Sequence, residues 1–206
     1  MTKTTESTGP ESTEPELAMD DPRMGFAGVT RAVADLMDGV RDDQFADATP
    51  CDDFSVKDLL DHLVLVMQRV AVIGEGKHFS EASEETANRD GGHADAFRAA
   101  AGDVHRAWTD RAKLGQLYDV PWGQLPGAAA LFTYTAELAT HGWDLAHATG
   151  QELSIDDDLL AGALMAAKML PADDREEMPF GPVVDPGADA PALLQIAGWF
   201  GRQVAG

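Results

Sequence analysis

The sequence predicts an all-α protein built as an up-and-down four-helix bundle with short accessory helices at its C-terminal end. Apolar residues recur at three- and four-residue steps over most of the chain, which is typical of amphipathic helices. Polar stretches rich in Pro and Gly separate the segments that have this spacing, as loops between bundle helices do. With 206 residues, of which 44% are hydrophobic, the chain is long enough to bury one sizeable core.

An N-terminal tail precedes the predicted bundle. Residues 1 to 21 are rich in Ser, Thr, Glu and Pro, so we expect a disordered acidic tail there and assign residues 22 to 206 to the bundle. The first helix is predicted over residues 23 to 40, where the apolar side chains at helical spacing are Phe26, Val29, Val33, Leu36, Met37 and Val40.

The second helix has a clear start and end in the sequence. After a polar linker that contains Pro50, Ser55 opens the helix, and Asp58 three positions later completes a capping box. The helix runs through DLLDHLVLVMQRVAVI and ends near Gly74 and Gly76. The segment that follows, GKHFSEASEETANRDGG, is typical of a mobile loop.

Two further long helices complete the predicted bundle. The third extends from about Ala94 to Leu114, and the Pro/Gly-rich connection YDVPWGQLPG after it leaves room for a short extended piece. Pro126 stands in the first turn of the fourth helix, a position that favours proline, and the helix stops at Gly150.

Shorter helices are predicted beyond the fourth. A fifth begins near Asp156, where a run of aspartates complements the positive end of the helix dipole, and it ends before Pro171. A loop rich in Pro, Gly and Asp follows, and ALLQIAGWFGR closes the chain as a short helix.

The charge of the chain excludes some classes of function. It carries 36 acidic and 15 basic residues, a net charge of −21, which argues against binding to nucleic acid or to anionic membrane surfaces. No apolar run approaches the roughly 18 residues of a membrane-spanning helix, and the N-terminus lacks the pattern of a signal peptide. The single cysteine, Cys51, fits a reducing compartment, so we expect a cytoplasmic protein; the sequence leaves its oligomeric state open.

The fourth predicted helix carries polar groups on one face of an otherwise apolar run, TAELATHGWDLAHATG. Four residues turn a helix by about 400°, so Glu137 and His141 lie about 40° apart and one turn above each other. Asp144 falls about 20° from Glu137, and Tyr134 lies near the same stripe, whereas His147 points about 120° away from His141. A carboxylate and an imidazole at this spacing can both reach a single divalent ion.

A metal needs a third ligand from a facing helix, and the candidate is His62 in the apolar stretch DLLDHLVLV. The residues alone leave alternatives open. A Glu/His pair at this spacing is also typical of a surface ion pair, and His62 of a partly buried histidine. Asp58 can be explained as a helix cap alone, and Asp144 as a hydrogen-bond partner of a nearby backbone group. His78 and His93 flank the polar loop and are weaker candidates.

Three motifs together resemble the mycothiol-dependent maleylpyruvate isomerase N-terminal domain family, an actinobacterial family of DinB-like metal-binding helical bundles. They are TPCDDFSVKDLLDHLV, ELATHGWDLAHATGQ and PFGPVV, and the resemblance covers about residues 24 to 203. It implies one divalent metal, typically zinc, bound by the His of the DLLxHL helix and by the Glu and His of the ExxxHxWDL helix. In this chain these residues are His62, Glu137 and His141.

The resemblance also implies a chemistry. Two histidines and one carboxylate leave a position on zinc open, which in this family takes the low-molecular-weight thiol mycothiol for attack on a small electrophile. The protein would then be an isomerase or a thiol S-transferase. Asp58 or Asp144 would orient a ligand histidine, and Tyr134 would face the substrate. The alternatives are a metal-binding module without turnover and a zinc-dependent hydrolase that uses bound water.

This chain departs from the family pattern in two places. The family often has Trp where this chain has Phe54, a change that affects packing. The isomerase carries a larger C-terminal domain that contributes to its active site, whereas here only residues 151 to 206 follow the HGWDL helix. The resemblance therefore supports a metal-binding bundle more strongly than maleylpyruvate isomerisation itself. For Cys51 a packing role is favoured over that of a fourth ligand or reactive thiol.

Overall fold

The structure, a computed structural model, describes residues 21–82, 92–176 and 178–204. Residues 1 to 20 of the predicted tail and residues 83 to 91 of the predicted mobile loop lie outside these ranges, and Asp21, the last residue of the predicted tail, caps α1. The described residues confirm the all-α class, with one small hairpin among the helices. The elements are α1 (Pro22–Asp38), α2 (Val56–Gly74), α3 (His93–Ala107), β1 (Leu117–Val120), β2 (Gly123–Pro126), α4 (Gly127–Thr149), α5 (Asp157–Lys168) and α6 (Ala192–Trp199).

Most predicted helix ends are confirmed, and the side chains that cap them explain why. Ser55 N–H donates to the Asp58 carboxylate at 3.1 Å, and Asp58 N–H donates to Ser55 Oγ at 3.3 Å, which completes the capping box of α2. The carboxylate of Asp156 caps α5. Gly150 ends α4 with φ 68°, a left-handed conformation that glycine adopts without steric cost.

The prediction for the third helix is wrong at its C-terminal end. We expected it to reach Leu114, but α3 ends at Ala107. The next side chain, Trp108, turns into the bundle and its indole N–H donates to the carbonyl oxygen of Val70 at 2.9 Å. The chain then forms a separate 3₁₀ turn at Arg111–Gly115. A tertiary contact, which local spacing does not reveal, therefore sets this boundary.

Three smaller differences occur at the ends of other helices. The closing helix α6 ends at Trp199, three residues before the predicted end at Arg202. α1 stops at Asp38, two residues before the predicted end, because Gly39 closes its last turn with a hydrogen bond to Leu36. Pro126 precedes α4 and does not lie in its first turn. It pairs with Leu117 as the last residue of the hairpin, and its backbone is therefore extended.

Helix α4 runs through the middle of the molecule, in contact with α1, α2, α5 and α6. It is apolar on most of its circumference, as a central helix must be. The indole of Trp108 lies beside both Gly74, at the end of α2, and Gly127, at the start of α4, so these two helices run antiparallel. Their largest fully buried side chains are Leu59, Leu60, Leu63, Met67, Ile73, Leu131, Tyr134, Leu138 and Leu145.

The connection between α3 and α4 contains the short extended piece that its sequence left room for. β1 and β2 pair antiparallel, with Val120 opposite Gly123, and Trp122 lies in the turn between them. The hairpin contacts α2 and α4, and the ring of Tyr118 packs against Trp108 with centroids 5.0 Å apart. No helix of the described residues is both long and apolar enough to cross a bilayer.

Close packing at the end of α2 leads to a prediction about stability. A Cβ atom at Gly74 would overlap the indole of Trp108, 2.8 Å from Cδ1, whereas a Cβ at Gly102 in α3 would meet only Arg106 Nη1 at 3.6 Å. We expect Gly74→Ala to lower the free energy of unfolding by about 1–3 kcal/mol, because the indole must move. Gly102→Ala should raise it by about 0.5–1 kcal/mol, since alanine favours a helix interior over glycine.

Urea unfolding followed by circular dichroism measures both variants. The two changes add the same methyl group to a helix, so they differ mainly in the space that receives it. Equal stability of the two variants would contradict the packing of Trp108 on α2.

Candidate metal centre

Helices α2 and α4 bring the three predicted ligands together. His62 lies in the second turn of α2, while Glu137 and His141 lie one turn apart on α4. One ligand atom from each residue lies within 4.8 Å of the other two, and His62 Nε2 is 3.3 Å from Glu137 Oε1. Ligands about 2.0–2.2 Å from a tetrahedral zinc ion are themselves about 3.3–3.6 Å apart. The cluster therefore has the size of a metal site.

The hydrogen bonding of the cluster is incomplete. Among the described residues, buried His62 Nε2 and buried Glu137 Oε2 have no hydrogen-bond partner. The 3.3 Å approach of His62 Nε2 to Glu137 Oε1 lacks the alignment of a hydrogen bond. Buried polar atoms in folded proteins are normally paired, so atoms left without partners around one point indicate a missing partner. A divalent cation would satisfy both atoms, and the residues present therefore fit a metal.

Asp144 fixes the orientation of His141. Nδ1 of His141 lies 3.0 Å from Asp144 Oδ2. An ionised carboxylate only accepts hydrogen bonds, so Nδ1 carries the hydrogen and Nε2 keeps its lone pair. Burial lowers the pKa of His141, against the opposing hydrogen bond to Asp144, and the nearby His62 lowers it further. His141 is thus held as the neutral imidazole that a metal requires.

Asp144 is in turn held by Arg202, from the segment after α6. Arg202 Nε donates to Asp144 Oδ1 at 2.9 Å and Nη2 donates to Oδ2 at 2.7 Å, a bidentate pair in which both residues are buried. Burial alone would raise the pKa of Asp144, but the hydrogen bonds from Arg202 and His141 outweigh it and hold that pKa below its ordinary value. The carboxylate is therefore ionised at neutral pH.

Sequence reasoning missed Arg202. Its signal was a single cation in the otherwise uncharged closing segment ALLQIAGWFGR. A charge in such a segment usually needs a partner, but the partner is 58 positions away in the sequence, and no local spacing identifies it.

Phe54 lies against both histidines of the cluster. Its ring centroid is 5.0 Å from that of His62 and 6.0 Å from that of His141, and the two imidazoles are 4.8 Å apart. The position at which this chain departs from the family pattern is therefore part of the wall of the candidate centre.

Cys51 forms a second possible ligand group, with His141 and Asp144, within 4.8 Å. The thiol is half-buried, and burial raises its pKa against the opposing charge of Arg202. Both oxygens of Asp144 are occupied by Arg202, whose guanidinium would repel a cation. This group is therefore a poor metal site, and packing remains the favoured role of Cys51.

The other predicted candidates occupy different surroundings. Asp58 is exposed, and the hydrogen bonds that the structure gives it lie in the cap with Ser55, so its proposed role in orienting a histidine gains no support. Tyr134 is buried beside the cluster with its hydroxyl unpaired among the described residues. Burial raises the pKa of Tyr134, and the charge of Glu137 adds to this rise. His147 is exposed and stacks on Trp143, away from the cluster.

His93 is placed differently from the expectation for a residue that flanks a polar loop. It is buried at the first turn of α3, and its Nε2 lies 2.8 Å from Asp61 Oδ1 on α2. Lys57 also binds Asp61, 2.8 Å from Oδ2. The pair connects α3 to α2 on a different side of α2 from His62.

Two histidines and a carboxylate that converge from facing helices of a bundle define a typical scaffold for a divalent metal. Residues 26–146 match the profile of the family described as mycothiol maleylpyruvate isomerase N-terminal domain, and the chain belongs to that family. The resemblance found in the sequence is thereby confirmed.

Relatives of the chain include uncharacterized proteins from two strains of Mycobacterium tuberculosis. Each is 32% identical over 186 residues, which cover 89% of this chain and 99% of the relative. Among solved structures, the crystal structure of the mycothiol-dependent maleylpyruvate isomerase matches with a TM-score of 0.55 and 12% identity, over 74% of this chain and 68% of that chain. At this level of identity the likeness supports a shared fold.

The geometry of the cluster predicts which histidines are needed for metal. His141→Ala or His62→Ala should abolish stoichiometric zinc, because each removes one of three protein ligands, while helicity is retained. His147→Ala, on another face of α4, should keep its zinc and serves as the control. Metal analysis and circular dichroism on protein purified without a His tag measure both properties. Zinc retained in His141→Ala and lost in His147→Ala would refute the site.

The Asp144–Arg202 pair predicts a positioning effect. Arg202→Met should weaken zinc binding about 10- to 100-fold, because His141 loses its fixed orientation. Removing one partner of a buried pair should also lower the free energy of unfolding by about 3–5 kcal/mol. Arg175→Met is the matched control, since Arg175 is equally buried and binds backbone carbonyls near α6, including that of Trp199, but does not contact Asp144.

Competition with a zinc-binding dye gives the affinity, and urea unfolding gives the stability. The control should lose stability and keep its affinity for zinc. If both variants lose affinity equally, the effect comes from loosening of the C-terminal segment and Arg202 has no specific role.

Proposed function

We propose that this protein is a zinc-dependent enzyme of the mycothiol-dependent isomerase or thiol S-transferase type, in which a low-molecular-weight thiol attacks a small electrophile. The observation that carries the proposal is the convergence of His62, Glu137 and His141, with Nε2 of His62 and Oε2 of Glu137 buried and unpaired among the described residues. Membership of the mycothiol maleylpyruvate isomerase N-terminal domain family supports mycothiol as the thiol.

The residues of the chain divide the tasks at this centre. His62 Nε2, His141 Nε2 and the Glu137 carboxylate would hold the ion, and three protein ligands leave at least one position for an exogenous group, as catalytic sites do. Bound zinc supplies a Lewis acid that lowers the pKa of a coordinated thiol, so that the thiolate is available at neutral pH. Asp144 keeps the Nδ1 hydrogen of His141 in place.

The surroundings of the centre favour chemistry with a small molecule. Phe54 shields the two imidazoles on one side, and the half-buried cluster excludes much of the water that competes with a thiol. Tyr134, one turn along α4 from Glu137, adds a hydroxyl that has no partner in the part of the chain that the structure describes. The electrophile is proposed here only as a class, because the isomerase named among the solved structures shares its fold at 12% identity.

Cobalt substitution tests the thiol directly. Addition of mycothiol to the cobalt-loaded protein should produce an intense sulfur-to-cobalt charge-transfer band in the near ultraviolet, because the thiolate enters the open position. Titration of the band gives the affinity for the thiol. His147→Ala should show the same band, and His141→Ala should not.

The absence of any spectral change at saturating mycothiol would contradict the proposal. Cleavage of esters or amides by the zinc protein without thiol would then favour the hydrolase alternative. If the protein retains metal but shows neither thiol binding nor cleavage of esters or amides, a binding module without turnover is favoured.

A further inference from the structure

The two sides of the three-residue cluster differ in how well their polar groups are paired. Toward the C-terminal end of α4, Asp144 is fully bonded to His141 and Arg202. Toward the N-terminal end, Glu137 Oε2 and the Tyr134 hydroxyl are buried without partners among residues 21–82, 92–176 and 178–204. A ligand that brings polar atoms gains most on the unpaired side, because pairing there removes an existing cost.

Tyr134 offers a hydrogen-bond donor on that side. It lies three residues before Glu137, hence on the same face of α4, and its side chain is 1% exposed. A neutral phenol donates one hydrogen bond, and the neighbouring Glu137 carboxylate does not accept it. The donor is therefore available to a ligand.

Arg69 adds a cation to the same side. It follows His62 by seven residues on α2, which places it within about 20° of His62 on the helix and two turns further along. Because α2 and α4 run antiparallel, this displacement brings it to the level of Tyr134. The charge of Arg69 opposes the rise that burial causes in the pKa of Tyr134. Arg69 is half-buried and makes no ion pair with the described part of the chain, although the protein carries 36 acidic residues.

The tip of the hairpin closes this side. Trp122 is 47% exposed, yet its ring packs on Tyr134 with centroids 4.9 Å apart. An aromatic side chain that is partly exposed at the surface, and whose ring contacts the ring that bears this donor, is well placed to cover a small bound molecule.

We propose that Tyr134 and Arg69 bind a carboxylate group of the electrophile, with Trp122 as the cover. The assignment of this ligand as the electrophile rests on the proposed function; the recognition of a carboxylate does not. A guanidinium and a phenol hydroxyl match a planar monoanion. A phosphate dianion would fit less well, because one guanidinium would balance only part of its charge beside the carboxylate of Glu137.

Binding of propionate and propionamide to the zinc-loaded protein, without thiol, tests the inference by isothermal titration calorimetry. The two probes have the same shape and differ in charge. We expect the wild-type protein to bind propionate at least about tenfold more tightly, the scale of a hydrogen bond to a charged group. Arg69→Gln should remove this preference, and Tyr134→Phe should weaken propionate binding about tenfold. Tyr118→Phe and Arg31→Gln, at the second tyrosine and an exposed arginine of α1, should behave as wild type.

Two results with the wild-type protein would overturn the inference: equal affinity for the two probes, or no measurable binding of propionate. A third would be an unchanged preference for propionate in Arg69→Gln, because that result is expected if propionate binds zinc directly. If Arg69→Gln does not fold, Tyr134→Phe decides, because it keeps the ring on Trp122 and removes only the hydroxyl. No thiol is present, so failure of thiol ligation in the cobalt experiment and failure of carboxylate recognition are separate outcomes.

Discussion

The buried ion pair between Asp144 and Arg202 is the interaction on which the candidate centre depends. Two charges taken out of water stabilise a fold only when their geometry is good and their remaining hydrogen bonds are satisfied. Here both oxygens of Asp144 accept from Arg202, one of them also accepts from His141, and Arg202 Nη1 donates to the carbonyl of Phe200 at 3.0 Å. The pair thus joins the segment after α6, the C-terminal part of α4 and one candidate ligand histidine into a single network.

Because of this network, the two ends of the candidate centre differ in how their polar groups are paired. The Asp144 end is buried and paired, so it fixes the position of His141 and offers nothing to a ligand. The Tyr134 end holds a phenol hydroxyl and a Glu137 oxygen that have no partner among the described residues, and it is covered by a hairpin with an exposed tryptophan. Since a helix places residues three and four apart on one face, a single stripe of α4 carries the support, the ligands and the open side in order.

The sequence allowed the fold class, most helix ends and the stripe of α4 that carries Glu137 and His141 to be predicted, because these depend on local periodicity and capping. The spacing of Glu137 and His141 requires only helix geometry, and the apolar neighbours of His62 together with the family resemblance indicated the facing helix. The features that were missed depend on tertiary contacts. Trp108 ends α3 through its bond to Val70, and Arg202 reaches Asp144 across the fold.

His93 is another residue whose surroundings could not be predicted from the sequence. It flanks a polar loop in the sequence, which is typical of exposure, but α3 starts where α2 presents Asp61, and the imidazole is buried against it. Burial of a polar group depends on the complementary group that the fold brings to it. A partner contributed by another element cannot be inferred from spacing within one helix.

The residues that hold His141 in place are separate from the residues proposed to recognise the electrophile, and this has a consequence for the family. The residues that hold His141 in place, Asp144 and Arg202, lie at one end of the stripe. Tyr134, Arg69 and Trp122 lie at the other end, on α4, α2 and the hairpin. We expect changes at the second set to alter the group that is recognised without disturbing the first, because the two sets share no hydrogen bond within the described residues. We therefore expect that a bundle of this kind can keep the proposed metal centre and change its electrophile, since function is set by the site and not by the fold. On this argument, the electrophile of a relative depends on the residues that it carries at these three positions, more than on its overall identity to this chain.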